Sequence, residues 1–248
     1  VDGRPELSNI TDDLERACGR LDFEIIAVST ESWANEEIAV VEPGSDSRFE
    51  SLNRAAASAA ASVLCFLDSS YTGGNIGWIE TLAGYALRTN TGAVGPMITD
   101  QNGRIVNAGF VLGMTDGVVS PHRGHRLWPR GRSIRLDVAQ NVSAVSVECM
   151  VIRKEAFADA GGFDTSTFKE HYAVVDLCLR LMTKGLLNAF IPFAEVTAEP
   201  GETPDPELIE ALKNRHRAYF AADPFYNPNL TLEDVDLGIT MTPRLEKL

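Results

Sequence analysis

An apolar run that ends in an acid is the first candidate for chemistry. Residues 62–71 read S-V-L-C-F-L-D-S-S-Y, so an unbroken apolar stretch stops at Asp68 and hydroxyl-bearing residues follow. A run without polar alternation predicts a strand covered on both faces, as in a parallel sheet. Since open α/β sheets bind ligands at the carboxyl ends of their strands, Asp68 is a candidate ligand-binding residue. A cap on the turn after the strand is the alternative role for Asp68.

The second candidate is a basic segment. Residues 122–135 read H-R-G-H-R-L-W-P-R-G-R-S-I-R and hold five arginines and two histidines. The glycines and the proline predict a loop, which we call the basic loop. Guanidinium groups bind phosphate through two parallel hydrogen bonds, so the basic loop could clamp an anionic group such as a diphosphate. A solvated surface loop is the alternative interpretation.

Composition limits the kind of protein. The net charge of −13 over 248 residues disfavours a nucleic-acid partner, because phosphate contacts need a basic surface. With 44% hydrophobic residues and no apolar run of membrane-spanning length, we expect a soluble domain without a membrane span. Residues 1–6 show no signal-peptide pattern, so we expect a cytoplasmic location. Cys18, Cys65, Cys149 and Cys178 lie far apart in apolar segments, which predicts buried thiols in a reducing compartment.

These candidates need a scaffold, and hydrophobic periodicity predicts alternating helices and strands. Helices are predicted over residues 7–20, 48–61, 76–88, 153–160, 174–184 and 207–222. Strands are predicted over residues 23–29, 38–41, 63–67, 93–98, 143–152 and 189–196, the last broken at Pro192, with a hairpin arm over 105–114. The sequence therefore predicts one α/β domain over residues 1–235 and a C-terminal tail over 236–248.

Several stretches carry a resemblance that covers residues 8–235. Among them are 52–70 (L-N-R-A-A-A-S-A-A-A-S-V-L-C-F-L-D-S-S), 105–113 (I-V-N-A-G-F-V-L-G), 143–164 (S-A-V-S-V-E-C-M-V-I-R-K-E-A-F-A-D-A-G-G-F-D), 175–181 (V-D-L-C-L-R-L) and 223–230 (D-P-F-Y-N-P-N-L). In order and spacing they resemble the family 2 glycosyltransferases of the GT-A fold, especially members that build bacterial surface polysaccharides. Residues 52–70 look like the segment that leads to the family's metal-binding Asp-x-Asp motif.

The resemblance implies a fold and a reaction. The fold is a single GT-A domain, with a mostly parallel central sheet flanked by helices. The reaction is an inverting transfer of a sugar from a nucleotide diphosphate donor to a carbohydrate hydroxyl, with Mn²⁺ or Mg²⁺ at Asp68 if the domain is active. The donor-binding candidates are Asn53, Arg54, Asp68, Ser70, Arg123, Arg126 and Arg130, and the carbohydrate-binding candidates are Trp78, Trp128 and Asp164. The alternative for Trp78 is a place in the core, where a tryptophan of an amphipathic helix often lies.

The sequence departs from the family pattern at the positions that carry chemistry. Ser70 replaces the second acid of the metal motif, Ala173 and Val174 stand where a catalytic acid is expected, and Ala198 stands in place of a metal-binding histidine. A hydroxyl is a weak ligand for a hard cation, and valine cannot accept a proton. Residues 1–6 also lack the family's opening apolar strand. Either the chain is a fragment of a longer polypeptide or the domain has lost part of its nucleotide pocket.

Two functions remain open. The first is a glycosyltransferase-like domain of polysaccharide assembly whose activity is impaired or absent and which needs no cofactor. Such a domain would have a structural or carbohydrate-recognition role beside other domains of a longer parent polypeptide. The second is an active transferase in which the basic loop replaces the metal and Asp176, Glu170 or His171 serves as the base. The alternative role of Asp176 is to brace its helix, and Glu170 and His171 could instead face solvent. The resemblance adds peripheral attachment at the inner membrane as an alternative location.

Overall fold

Helices and strands alternate along the chain, which confirms the α/β class. The computed structural model describes residues 7–29, 38–42, 47–126, 134–199, 205–242 and 244. Residues 1–6, where the family's opening strand is expected to be absent, lie outside this part. The first elements are α1 (Leu7–Cys18), β1 (Ile25–Val28), β2 (Ile38–Val41), α2 (Arg48–Ser58), β3 (Val63–Leu67), β4 (Tyr71–Gly74) and α3 (Trp78–Ala86).

The second half of the chain continues this pattern. Its strands are β5 (Thr91–Thr99), β6 (Ile105–Asn107), β7 (Val111–Met114), β8 (Gly117–Val119), β9 (Gln140–Asn141), β10 (Cys149–Arg153) and β11 (Leu187–Ala198). Its α-helices are α4 (Lys154–Asp159), α5 (Glu170–Thr183), α6 (Pro206–Arg215) and α7 (Arg217–Ala221). None of the helices in the described part of the chain has both the length and the apolar composition that crossing a bilayer requires.

A seven-stranded sheet organises the described residues. Its path is β3-β10-β5-β11-β4, with β6 paired to β5 and β9 paired to β11. Among the described pairings of this sheet, β5 with β11 is parallel and the others are antiparallel. The central sheet is therefore mixed, and the expectation of a mostly parallel sheet is wrong. An apolar run indicates that a strand is largely buried, and it does not determine the direction of the strand.

The core lies on both faces of this sheet. Alternate residues of β10 divide between two apolar clusters, because successive side chains of a strand point to opposite faces. Met150 and Ile152 pack on the side of α2, α4 and α5, whereas Cys149 and Val151 pack on the side of α1 and α3. Helices thus cover the sheet on both faces, as the resemblance implies.

Local signals explain where two elements begin and bend. The Ser47 hydroxyl accepts the backbone N–H of Glu50 at 3.4 Å and caps the start of α2. In β11, the predicted break at Pro192 is a bulge, since the pairing with β5 shifts between Ile191 and Glu195. Proline lacks the N–H that a regular ladder needs, so the strand bends there and then continues.

Several element predictions need correction. The strand predicted over residues 143–152 is regular only in β10, and the helix predicted over 207–222 divides at His216 into α6 and α7. The sequence also does not predict β4 and β8, whose glycines resemble turn signals. Finally, β3 ends the path of the sheet and its Cys65 is exposed, so the strand is not covered on both faces. The other three cysteines are buried thiols, as predicted.

The C-terminal segment folds back onto the domain. The Asp223 carboxylate accepts the backbone N–H of Leu112 in β7 at 2.8 Å, and Tyr226 is buried. A β-bridge joins Leu230 to Ile239, so backbone pairing crosses the predicted boundary between residues 235 and 236. The division into a domain and a tail stays a prediction.

Candidate functional site

The carboxyl end of β3 meets the ends of three other strands. The N–H of Asp68 donates to the carbonyl of Glu148, which precedes the antiparallel β10, at 3.0 Å. The N–H of Tyr71 donates to the carbonyl of Asp68 at 3.0 Å and closes the turn into β4. At the end of β11, the N–H of Glu199 donates to the carbonyl of Ser70 at 3.4 Å. The sheet therefore holds Asp68 and Ser70 at the place where the sequence predicts a site.

Both carboxylate oxygens of Asp68 have partners within the chain. Oδ1 accepts the N–H of Ser70 at 2.8 Å, which is the turn cap that the sequence offers as the alternative role. Oδ2 forms an ion pair with Arg48, the first residue of α2. Burial raises the pKa of Asp68, but the charge of Arg48 and the hydrogen bonds from Ser70 outweigh burial and hold the pKa below its ordinary value. Asp68 is therefore ionised at neutral pH, and its charge is balanced by Arg48.

The position of the expected catalytic acid is apolar and closed. Val174, in α5, is 1% exposed and lines a cavity of about 10 Å³ together with Arg48 and Leu67. A cavity of this size has room for about one water molecule. The other side chains that line it are apolar and come mainly from α2, β3 and β10. This space is therefore too small to hold a sugar ring.

The position of the expected metal-binding histidine is also buried. Ala198 ends β11, is 0% exposed and pairs with Tyr71 of β4. It packs in the apolar cluster that contains Tyr71 and Trp78. A methyl group has no lone pair to offer, so β11 supplies no ligand from this position.

These residues fit a divalent cation poorly. Mn²⁺ and Mg²⁺ bind several oxygen ligands at once, usually including carboxylates. Here Asp68 is paired with Arg48, and Ser70 and Ala198 stand where further ligands are expected. In the part of the chain that the structure describes, no three His, Cys, Asp or Glu side chains are grouped so that they could hold a metal ion.

Asp176 belongs to a buried charged network. Its side chain is 0% exposed, and Oδ2 accepts Nε–H of Arg180 at 2.7 Å. Oδ1 lies 2.8 Å from Nε2 of His216 and 3.2 Å from Nη1 of Arg215. Burial raises the pKa of Asp176, but the hydrogen bonds from His216 and Arg180 outweigh burial and lower it. This placement gives Asp176 the bracing role that the sequence offers as the alternative to a base.

The network also holds the acceptor-side candidate Asp164. Arg215 Nη1 donates to Oδ2 of Asp164 at 2.6 Å, and Oδ1 accepts the N–H groups of Ser166 at 2.9 Å and Thr167 at 3.2 Å. Burial raises the pKa of Asp164, but the Ser166 and Arg215 hydrogen bonds outweigh burial and hold the pKa well below its ordinary value. These contacts tie the Gly-Gly-Phe-Asp loop to α6.

Two donor-binding candidates on α2 contact the backbone of neighbouring segments. Nδ2 of Asn53 donates to the carbonyl of Phe163 at 2.9 Å, and Oδ1 accepts the N–H of the same residue at 2.9 Å. Nη2 of Arg54 donates to the carbonyl of Glu42 at 2.9 Å. Asn53 therefore joins α2 to the Gly-Gly-Phe-Asp loop, and Arg54 joins α2 to the end of β2.

The basic loop is described in part. Arg123 and Arg126 are exposed, whereas Trp128 and Arg130 lie outside the described residues. Burial and the charge of Arg123 lower the pKa of His171, in the first turn of α5, to about 4. The backbone of Arg126 forms a β-bridge with Arg104, and His125 forms an ion pair with Asp236.

The start of α5 carries the other two base candidates. Glu170 is its first residue, and the Glu170 side chain lies outside the described part of the structure. The ring of His171 lies 4.0 Å from that of Tyr172, and its low pKa leaves the imidazole neutral at physiological pH. A neutral imidazole can accept a proton, but a pKa of about 4 makes His171 a weak base at neutral pH.

Trp78 is a core residue, and the prediction that it stacks on a sugar is wrong. Its exposed fraction is 1%, and its ring centroid lies 5.9 Å from that of Tyr71. A Cβ atom added at Gly74 would come within 2.5 Å of the indole, so β4 packs directly against the ring. Helical periodicity puts Trp78 on the apolar face of α3, and that face covers the sheet.

Sequence reasoning missed Arg48, Glu148 and His216. Arg48 and His216 each join a distant part of the chain to an acid, and no local pattern marks such a pair. Glu148 is 6% exposed and its carboxylate accepts a hydrogen bond from the Ser146 hydroxyl. One signal could have found Glu148, because a carboxylate inside the apolar run of residues 143–152 is unusual for a core strand.

Three proteins illustrate the sequence similarity of the chain. Uncharacterized protein y4gI of Sinorhizobium fredii is 35% identical over 181 residues, which cover 67% of this chain and 20% of that protein. O-antigen biosynthesis protein RfbC of Myxococcus xanthus is 28% identical over 252 residues, 89% of this chain and 19% of that protein. The N-acetylglucosaminyl-diphospho-decaprenol L-rhamnosyltransferase of Mycobacterium tuberculosis is 29% identical over 157 residues, 58% of this chain and 49% of that protein. The chain thus spans about a fifth of the first two relatives and about half of the third. No family model matches the chain.

Solved structures share the fold. GalNAc-T7 with UDP, GalNAc and Mn²⁺ superposes with a TM-score of 0.61 at 14% identity, over 88% of this chain and 48% of that one. The mannosyltransferase PcManGT of Pyrobaculum calidifontis, in complex with GDP-Man and Mn²⁺, gives a TM-score of 0.52 at 13% identity, over 88% of this chain and 67% of that one. At these identities the structural likeness shows the fold alone. Taken with the sequence relatives, it shows that the chain has a glycosyltransferase-like fold of the GT-A type.

Proposed function

We propose that this chain is a glycosyltransferase-like domain of polysaccharide assembly that does not itself transfer sugar. Its role is structural or carbohydrate-recognising, beside other domains of a longer polypeptide at the cytoplasmic face of the inner membrane. The names of two relatives, an O-antigen biosynthesis protein and a rhamnosyltransferase, support the link to polysaccharide. The chain spans only part of each relative, so each relative is long enough to contain a catalytic domain outside the matched region.

The observation that carries this proposal is the burial of Val174 and Ala198. Inverting transfer needs a carboxylate to take the proton of the acceptor hydroxyl, and a positive charge to stabilise the leaving diphosphate. The residues at the two corresponding positions are 1% and 0% exposed and pack in apolar clusters. Both demands therefore go unmet at the positions where the family meets them.

Calorimetric titration with UDP- and GDP-linked sugars, with and without Mn²⁺, tests the proposal together with an assay for release of the nucleoside diphosphate. We expect no metal-dependent binding and no release above the rate of a no-protein control. Micromolar, Mn²⁺-dependent binding, or turnover of any donor, would contradict a non-catalytic role.

One observation favours an active, metal-independent transferase as the second candidate. His171 is held neutral by burial and by Arg123, so a proton acceptor and a basic-loop cation lie together at the start of α5. In that case His171 would take the acceptor proton and the basic loop would bind the diphosphate. The expected result is turnover without metal that is lost in both His171→Ala and Arg123→Ala. If turnover survives in either variant, this candidate fails.

A further inference from the structure

The ion pair between Arg48 and Asp68 bears on how the site handles charge. Arg48 lies at the first position of α2, where Ser47 caps the helix and fixes its start. Its guanidinium contacts Oδ2 of Asp68, and the N–H of Ser70 contacts Oδ1 at 2.8 Å. Each carboxylate oxygen that a metal would use therefore already faces a positively polarised group of the chain.

We propose that Arg48 takes the place of the divalent cation at this site, so that the domain binds neither Mn²⁺ nor Mg²⁺ at Asp68. A guanidinium stays protonated at any physiological pH, so it supplies a fixed positive charge beside Asp68, the residue that resembles the first acid of the family's metal-binding motif. The family's metal motif has two acids, and here only Asp68 remains because Ser70 replaces the second one. The single positive charge of Arg48 matches the single negative charge of Asp68.

The Arg48 guanidinium and a divalent metal ion would compete for Asp68, and two features favour the guanidinium. Asp68 is 13% exposed and Arg48 is 38% exposed, so their charges lie in a partly desolvated environment where attraction is stronger than in bulk water. A metal ion could bind Asp68 only by displacing the guanidinium or by sitting beside it against charge repulsion. With Ser70 and Ala198 at the other ligand positions, the metal gains few contacts in return.

The inference goes beyond the proposed function, because a metal-free site is compatible with an inactive domain and with an active, metal-independent one. The two ideas therefore fail separately. Donor turnover would contradict the non-catalytic role and leave Arg48 in place of the metal. Mn²⁺ binding at Asp68 would contradict the inference even if the chain turned over no donor.

Titration with Mn²⁺, followed by loss of the free-ion electron paramagnetic resonance signal, tests the inference without any assay of activity. The variants are Ser70→Asp, which restores the Asp-x-Asp pair, Arg48→Ala, and the two combined. We expect no binding at Asp68 in the native chain and only weak binding to the two single variants. The double variant should bind at least about tenfold more tightly than either, since its two changes touch one carboxylate and do not act independently.

Two controls keep the result interpretable. Arg54→Ala combined with Ser70→Asp removes a different arginine from the same helix, and it should bind Mn²⁺ no better than Ser70→Asp alone. Arg48→Gln combined with Ser70→Asp keeps more of the side chain and replaces Arg48→Ala if circular dichroism shows that the alanine variant is unfolded. The inference is overturned if the native chain binds Mn²⁺ and Asp68→Asn abolishes that binding. It is equally overturned if Ser70→Asp alone matches the double variant.

Discussion

Asp68 and Asp176 are two acids on which the resemblance focuses attention, and they differ in surroundings more than in chemistry. Both have a pKa held below the ordinary value by partners that outweigh burial. Asp176 is 0% exposed and contacts Arg180, Arg215 and His216. Asp68 is 13% exposed and, among the residues that the structure describes, forms an ion pair with Arg48. A lowered pKa therefore shows that a carboxylate has favourable partners, but it does not show what those partners do for the protein. Burial and the number of partners decide whether the carboxylate stabilises the fold, as Asp176 does, or only a local turn, as Asp68 does.

The settings follow from position in the sheet. Asp68 follows β3, which lies at the end of the strand path, so solvent reaches one side of the pair. Asp176 lies in α5, between the sheet and the Gly-Gly-Phe-Asp loop, and its partner Arg180 also donates to the Gly162 carbonyl at 2.7 Å. Asp68 therefore joins the end of β3 to the start of α2, whereas Asp176 joins α5, α6 and the Gly-Gly-Phe-Asp loop.

The largest expected effect is that of Asp176→Asn. Removing the charge leaves two arginines and a histidine facing a neutral amide in a buried site, which we expect to lower the free energy of unfolding by roughly 3–5 kcal/mol. Urea denaturation monitored by circular dichroism measures this. Asp159→Asn, on an exposed residue at the end of α4, is the matched control and should change little. A loss for Asp176→Asn as small as that of the control would remove the distinction between the two acids.

Val174→Asp introduces an acid at the position that corresponds to the family's catalytic acid and tests whether this position is open. In a closed apolar setting, we expect the new carboxyl group to lower the free energy of unfolding by roughly 2–4 kcal/mol. Val174→Thr keeps the volume and adds one hydroxyl, so it should cost less. Thermal unfolding of both variants decides the matter, and an Asp variant as stable as the native chain would mean that this position reaches solvent.

The dependence of stability on acid pH should also differ between the two carboxylates, by less than the effects of the substitutions above. A group whose folded pKa is depressed contributes stability above its unfolded pKa, and this contribution is lost as pH falls through the folded value. Both acids therefore lose their contribution below about pH 4. In Asp176→Asn, the loss of stability between about pH 7 and about pH 3 should be smaller than in the native chain. Asp68→Asn should reduce the loss less, and the opposite order in denaturation curves would reverse the assignment of the stronger network.

The smallest expected effect is that of Asp68→Asn on stability. The Arg48 side chain is 38% exposed, so water can solvate it when its partner is lost, and exposed pairs contribute about 0–1 kcal/mol. The turn remains, because the amide oxygen of asparagine can accept the Ser70 N–H in place of the carboxylate. The melting temperature should fall only slightly. A drop comparable with that of Asp176→Asn would show that Asp68 also has a structural role.

Much of the scaffold could be predicted from the sequence. The bounds of β2 and β3 agree with the residues predicted from apolar runs, because such runs depend on neighbours along the chain. The alternative roles of Asp68 as a turn cap and of Trp78 as a core residue were also available, since both depend on local spacing. Strand direction was not, because β10 lies antiparallel between β3 and β5 and its apolar pattern is the same in either direction.

The sequence by itself determined most of the helices and strands, the likeness to a glycosyltransferase family and the positions at which the family's chemical residues are replaced. Each of these is written in residue type and spacing. Only the tertiary structure decided that Arg48 contacts Asp68, that His216 and Arg215 contact Asp176, and that Val174 is buried and lines a cavity of about 10 Å³. Those facts depend on contacts between segments far apart in the chain. Such contacts arise when helices bury their apolar faces on the sheet, and the sequence pattern records that a face is buried without recording its partner.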